Sequence, residues 1–551
     1  MTEKEYKTRK TLSPSKAKVL VKQILGEMPL TAELYWLLRH RDGTLNSRYS
    51  LRQIKNHFPG MIADTEIFRQ KNQPKEKVFI FTALHHWLHH ASVMGLALSG
   101  LGYDVTIGYL PYADWFTPIN RFDLRRQNLY TQQTFRQSSH LMQTFSFVTA
   151  NAGYKALPEK LREKVEQISQ LDTQYTLQIE NVDAKCETYR LRLERNLSAA
   201  RAALSWLENN KPDVVIVPNG TILEFGVVYE VARFLGIRTV TYEFGDQSDR
   251  IWIAQDSKVM LQNTEELWNA YKETSLSENE NEKIQSLFEA RRKASVWKNF
   301  SRRWQSAPVQ GVKSVKDELG LDNRPVILLA TNVLGDSLTL GRQIFTQSME
   351  EWIARTVQYF AGRPDVQLII RVHPGEMLTH GQSMVAVVHG VLPELPEYIH
   401  LIGPEEKVNT YDLIATADLG LVYTTTVGLE MAMSGVPVVV SGDTHYRNRG
   451  FTNDPTSWLK YYKMIGTILS NPSNFRLSEE QIKMAWAYAY RFFFNYPLPF
   501  PWHVGHLWVD VEAMSIKDVL GPAGLEKYRP TFEYLTGKPL NWKKIAARAN
   551  K

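Results

Sequence analysis

Two separated stretches of the chain alternate short apolar runs with helical segments, and this alternation limits the possible folds more than any other feature. In the first, "KVFIFTALHHWLHHASVMGLALSGLGYDVTIGYLP" gives an apolar run at 78–82, a helix-like segment, Gly102 and a second run at 105–109. "KPDVVIVPNGTILEFGVVYEVARFLGIRTVTYEFGDQSDR" repeats the pattern, with strands expected at 213–217 and 237–242. In the second stretch the expected strands are 326–331, 366–372, 399–402, 419–423 and 436–440. Apolar runs without polar alternation suit strands covered on both faces, which are parallel, and parallel neighbours need helical crossovers. The predicted class is therefore α/β: two Rossmann-like domains facing across a cleft, with ligands beyond the carboxyl ends of the strands.

The segments between these series set the domain organisation. Residues 1–75 read as an N-terminal helical extension, and 76–254 as the first domain with a helical insertion at 155–210. A polar and basic linker (255–320), the second domain (321–475) and a helical, aromatic-rich tail (476–551) follow. A chain of 551 residues needs more than one core, and 43% hydrophobic content can fill them. The start "MTEKEYKTRKTLSPSK" lacks the apolar core of a secretion signal, and no stretch has a spanning helix's length. The single cysteine, Cys186, suits a reducing compartment, so the expected location is cytoplasmic.

The formal charge of +7, from 65 Lys and Arg against 58 Asp and Glu, favours anionic substrates or a membrane surface without demanding nucleic acid. In "EARRKASVWKNFSRRWQ", Val296, Trp297, Phe300 and Trp304 fall near one helical face among arginines and lysines. Apolar stripes on helices usually pack on protein, which is the first expectation. A peripheral contact of 289–305 with the inner membrane face is the second.

"YTTTVGLEMAMSGVPVVV" (423–440) places Thr424, Thr425 and Thr426 between a strand and a helix ending near Gly435. Unpaired amides and the helix dipole at such a start favour an anion, and the hydroxyls can donate to a phosphate. Plain capping explains one threonine, not three. Glu430, one turn on, shares a side with Thr426 and can accept from ribose hydroxyls, or be an ordinary solvated Glu. "RVHPGE" ends another strand, so Arg371 and His373 alternate and are expected to aim at one anionic spot. "THYRNRGFTNDP" brings His445 and Tyr446 to a further strand end, and "TNVLGDS" brings Asn332 and Ser337.

In the first series, "YEFGDQSDR" offers Glu243 and Asp246 as candidate bases for an incoming hydroxyl. His85, His86, His89 and His90 are expected in a loop after the first strand, where they read an acceptor, pack a helix or, least favoured, bind a metal.

"LIIRVHPGE", "YTTTVGLEMAMSGVPVVVSGDTHYRNRGFTND" and "YRFFFNYPLPF" resemble the capsular-polysaccharide biosynthesis glycosyltransferases, a group that includes bacterial Kdo transferases. The resemblance covers mainly residues 320–505. It implies a GT-B fold and a metal-independent nucleotide-sugar donor, with CMP-, UDP- and GDP-linked sugars all open and no separate cofactor. The donor would lie mostly on the C-terminal domain, its phosphate on His373 and Thr424 to Thr426, and a saccharide or lipid-linked acceptor on the N-terminal domain. The expected function is sugar transfer in surface polysaccharide synthesis. The alternatives are a nucleotide-sugar epimerase and a non-catalytic polysaccharide-assembly subunit.

Overall fold

The computed structural model describes residues 16–40, 45, 47–149, 156–301 and 307–543. Its strands are β1 (Lys77–Leu84), β2 (Asp104–Tyr112), β3 (Met142–Ser146), β4 (Val214–Pro218), β5 (Arg238–Glu243), β6 (Arg250–Gln255), β7 (Val326–Ala330), β8 (Gln367–Arg371), β9 (Ile399–Ile402), β10 (Leu419–Val422), β11 (Val438–Val440) and β12 (Leu498–Pro499). They form two sheets in two compact units. Both units are Rossmann-like, as the alternating pattern predicts.

The first unit comprises Met1–Asp172, Asp183–Val259 and Leu498–Leu540, so residues 498–540 return to it after the second sheet. Its sheet runs β12-β6-β5-β4-β1-β2-β3, parallel from β5 to β3. β6 pairs antiparallel with β5, and the edge strand β12 antiparallel with β6. β12, β6 and β3 lie outside the strands expected from sequence. β6 and β3 leave residues partly exposed, so they lack the continuous apolar run that betrays a central strand.

The second unit comprises Thr173–Val182, Met260–Pro497 and Asn541–Lys551. Its five strands, all parallel, run β11-β10-β7-β8-β9. Ile327, Leu329, Leu368, Ile370 and Leu421 pack one face against Trp352, Ile353 and Tyr461 of the helices Met349–Ala361 and Trp458–Ser470. Trp352 donates its indole N–H to the Tyr461 hydroxyl at 3.1 Å, so this large ring is buried with its polar atom satisfied.

In the first unit a buried charge cluster joins residues 159–172, which are helical, to the helix Glu187–Asn210. Arg192, fully buried, lies 3.2 Å from Asp172 and 3.0 Å from Glu224. Asp172 also accepts the amide of Leu223, which has φ +58 at the start of the helix Leu223–Phe234. A leucine in the left-handed region costs free energy, and this carboxylate holds it in place. Arg192→Met leaves two buried carboxylates without their cation. The expected loss is about 3–5 kcal/mol in denaturant unfolding; an unshifted midpoint would contradict the role given to the cluster.

Candidate functional site

In an open parallel sheet, ligands bind where the strand order reverses, outside the carboxyl ends. In the second unit that point lies between β7 and β10, which lead in opposite directions across the sheet. The loops leaving these two strands are bridged: the Thr424 amide donates to Asn332 Oδ1 at 3.2 Å. Next along the sheet, β8 ends at Arg371, and the His373 amide donates to Thr331 Oγ1 at 3.1 Å. From the β11 side the Thr444 hydroxyl reaches the Thr424 carbonyl at 3.4 Å. Four consecutive loops thus tie Asn332, His373 and Thr424 to one rim.

The polar atoms at this rim have a definite sense. His373 Nδ1 accepts the Gly375 amide at 3.0 Å, which leaves the ring proton on Nε2, a donor. A Cβ at position 375 would sit 2.8 Å from that Nδ1, so the HPG turn needs its glycine. The Thr424 hydroxyl is buried and has no hydrogen-bond partner among the described residues. A buried hydroxyl left unpaired costs about 1–3 kcal/mol, so its presence at the reversal point of the sheet makes this turn a candidate ligand contact.

Several expectations for this rim need correction. The helix Val427–Met433 has seven residues, and the amides of Val427, Gly428, Leu429 and Glu430 already donate to Thr425 and Thr426. The threonine hydroxyls, rather than first-turn amides, are therefore what this turn offers an anion. Arg371 does not aim with His373: its guanidinium donates to the carbonyls of Gly403 (2.6 Å), Glu406 and Val408, bracing the loop after β9. His445 is buried, stacked 3.7 Å from Phe492 and bonded through Nδ1 to the Tyr488 hydroxyl. Burial, with Arg342 and Arg449 nearby, pushes its pKa well below the usual range, so it is a neutral core group rather than a donor ligand. Tyr446 is likewise internal; its hydroxyl donates to the Thr425 carbonyl at 2.6 Å and props the threonine turn from below.

Glu430 lines a cavity of about 500 Å³ with Phe288, Arg292, Tyr411 and Trp486, but its carboxylate is 2.5 Å from the buried Arg291 guanidinium. That pairing makes it a wall of the cavity, not an open acceptor. Ser337 lies half-buried in the turn after β7. Trp297 and Phe300 are buried against Phe494, so the membrane reading of 289–305 loses these two anchors; Trp304 lies outside the described residues. The helix there ends at Arg292, well short of the predicted stripe.

In the first unit the strand order reverses between β1 and β4. The four histidines are not in a loop: the helix His85–Gly100 begins at His85, so they occupy its first two turns. Burial lowers the pKa of His85, and those of His86 and His89 to about 4 and His90 to about 3, so all four are neutral at pH 7. His90 is a core residue, bonded to the Trp502 carbonyl and the Tyr242 hydroxyl. His89 bonds to the Ser50 carbonyl and accepts from the Trp508 indole. His86 and His89 line a cavity of about 260 Å³ with Gly505, His506 and Trp508. His85 Nδ1 and, at the end of β4, Thr221 Oγ1 are buried without partners. Among the described residues, no group of three or more His, Cys, Asp and Glu could hold a metal ion.

β5 carries Glu243 to the same end of the sheet. Its carboxylate accepts from Asn219 Nδ2 at 3.2 Å and from the Phe244 amide at 3.0 Å. Burial raises its pKa to about 7, near where a general base works best. Asp246, half-buried, faces His503, whose Nε2 lies 3.3 Å from the Gly245 carbonyl. His503 stacks on His506 at 4.7 Å, and His506 Nδ1 lies 2.8 Å from Asp510. Sequence reasoning missed His503, His506 and Trp508; two histidines and two tryptophans around one glycine in "PWHVGHLW" were the available signal.

The raised pKa of Glu243 fixes a sign for stability. Between about 4.5, its ordinary value, and about 7 the unfolded chain has released this proton while the folded one keeps it. This group therefore lowers stability as pH rises through that window. Glu243→Gln is expected to flatten that part of the decline in the thermal midpoint; an unchanged slope would show that the carboxyl titrates normally.

Residues 257–463 match the family described as capsule polysaccharide biosynthesis protein. No curated protein matches the chain in sequence. Among solved structures, the chain is similar to KpsC of Thermosulfurimonas dismutans, a beta Kdo 2,4 transferase, at 14% identity and a TM-score of 0.34, covering 52% of this chain and 82% of that one. The beta Kdo 2,7 transferase of the same KpsC gives 14% and 0.32, over 57% and 89%. UDP-GlcNAc 2-epimerase of Methanocaldococcus jannaschii gives 14% and 0.25, over 75% and 99%. The matched segment holds Asn332, His373 and the threonine turn, and over it the chain is similar to the capsule polysaccharide biosynthesis proteins.

Proposed function

We propose that the chain is a glycosyltransferase of bacterial surface polysaccharide synthesis, moving a sugar from a nucleotide-sugar donor to a saccharide or lipid-linked acceptor. The observation that carries this reading is the unpartnered Thr424 hydroxyl at the reversal point of the second sheet, fixed by Asn332. In the reaction the bond from the anomeric carbon to the phosphate oxygen breaks, and a bond to the acceptor oxygen forms. Negative charge grows on the departing phosphate, and donors already in position stabilise it without reorganising. Thr424 Oγ1 and His373 Nε2–H are those donors, with Thr425 and Thr426 beside them. No metal ion or cofactor is assigned a step. The leaving group is CMP for a CMP-linked sugar and a nucleoside diphosphate for a UDP- or GDP-linked one.

Glu243 takes the acceptor's proton, oriented by Asn219, with Asp246 as its neighbour. His86, His89 and the cavity beside them are proposed to hold the acceptor; neutral imidazoles and tryptophan suit sugar hydroxyls and ring faces. The proposed setting is the cytoplasm, at the inner membrane face; no helix among the described residues is long and apolar enough to cross a membrane.

Thr424→Val removes a hydroxyl that has no partner, so the thermal midpoint should hold or rise while transfer falls about 100-fold or more. His373→Ala should lower transfer similarly, and normal transfer by both variants would remove this site. Transfer by the wild type should rise with pH through about 7 in kcat/KM, and Glu243→Gln should lose that limb. Incubation with nucleotide sugar and no acceptor separates the epimerase alternative: a transferase leaves the sugar's configuration intact, and an epimer as product would overturn the proposal.

A further inference from the structure

Nearly half of the large apolar side chains that stand exposed among the described residues fall within residues 19–38. They belong to a hairpin of two helices, α1 (Lys16–Glu27) and α2 (Thr31–Arg39), joined by a turn in which Leu30 has φ +60. Leu20 and Ile24 on α1 are 57% and 54% exposed; Leu34, Leu37 and Leu38 on α2 are 57%, 64% and 70% exposed. The spacings i, i+3 and i+4 put each set on one helical face.

The hairpin is attached by ion pairs and by the buried Ala32 and Trp36 of α2, which leave the leucine faces outside. Lys22 pairs with Asp123 at 2.8 Å, Glu27 with Arg121 at 2.8 Å, and Glu33 with Arg125 Nε at 3.1 Å, all on the helix Arg121–Phe135. Arg125 also donates to the Met28 carbonyl at 2.8 Å. Gly26 lets the two helices meet, since a Cβ there would lie 2.8 Å from the Phe122 amide nitrogen. A helix on a soluble protein turns its apolar stripe inward; here the ion pairs face the protein and the leucines face out.

We infer that this face docks on an anionic lipid surface. Residues 1–21 carry six Lys or Arg against two Glu, so the sequence leading into the leucine face is strongly basic. An apolar face flanked by basic residues is what partitions into a charged headgroup layer. A second copy of the chain would fit worse, because a two-fold contact sets the same patch, and the same basic segment, against itself. The inference stands apart from the glycosyl-transfer proposal, since lipid binding is measured without any sugar.

Vesicle flotation of the full chain tests it, using phosphatidylcholine vesicles with and without phosphatidylglycerol. The chain is expected to float with the anionic vesicles, less so at high salt. The combined change Leu34→Glu, Leu37→Glu and Leu38→Glu is expected to weaken binding at least about ten-fold with the thermal midpoint unchanged. The pair Leu20→Ser and Ile24→Ser, on the other helix, should weaken it as well. Absence of flotation by the wild type, or equal flotation by both variants, would overturn the inference. So would a wild-type dimer that does not float and that the leucine changes dissociate, which would assign the face to a second copy.

Discussion

The hydrogen bond from the Thr424 amide to Asn332 is the constraint on which the candidate site rests. It joins the loops of two adjacent parallel strands where the sheet's order reverses, the place at which loops otherwise splay apart. With the amide committed to Asn332 and the turn propped by Tyr446, the hydroxyl of Thr424 has one buried position and nothing there to bond. The His373 ring is fixed as firmly, because its Nδ1 is occupied by the chain two residues on. Neither group needs to move to meet an anion, and fixed donors are what stabilise a developing charge at low cost.

Charge economy explains much of what surrounds this rim. Arg371 is spent on a loop, Arg291 on Glu430, and Arg342 on the carbonyls of Asp443 and Met260. Guanidinium groups that look like phosphate ligands in the sequence are tying distant backbone together, work for which five donors in a rigid fork are well suited. The first unit repeats the theme: Arg192 is held between two carboxylates, and one of these fixes the strained start of a helix. Glu243 differs. Its carboxylate is buried and accepts from an amide and a carboxamide, and the burial outweighs both bonds and raises its pKa.

The central strands were legible in the sequence because they are apolar on both faces, whereas β3, β6 and β12 were not, and the rim residues Asn332, His373 and Thr424 could be found by counting from strand ends. What could not be read was direction. Arg371 and His373 differ by two positions, yet Pro374 and the turn at Gly375 take His373 off the strand and leave Arg371 within it. His445 and Tyr446 sit in a polar-looking loop, but Phe492 and Tyr488 come from about forty residues downstream to bury that histidine. The "SVWKNF" aromatics turn inward for the same reason, onto Phe494. The reverse holds at residues 19–38, whose leucines stay outside while ion-pairing groups, Ala32 and Trp36 take the protein contact.

Isothermal titration of nucleotides against their uncharged nucleosides tests the central claim most directly. At least one nucleotide among CMP, UDP and GDP should bind the wild type well above its nucleoside, and Thr424→Val should lower that advantage about ten-fold or more. Equal affinity for nucleotide and nucleoside, or an advantage untouched by the substitution, would mean that no phosphate rests on this turn.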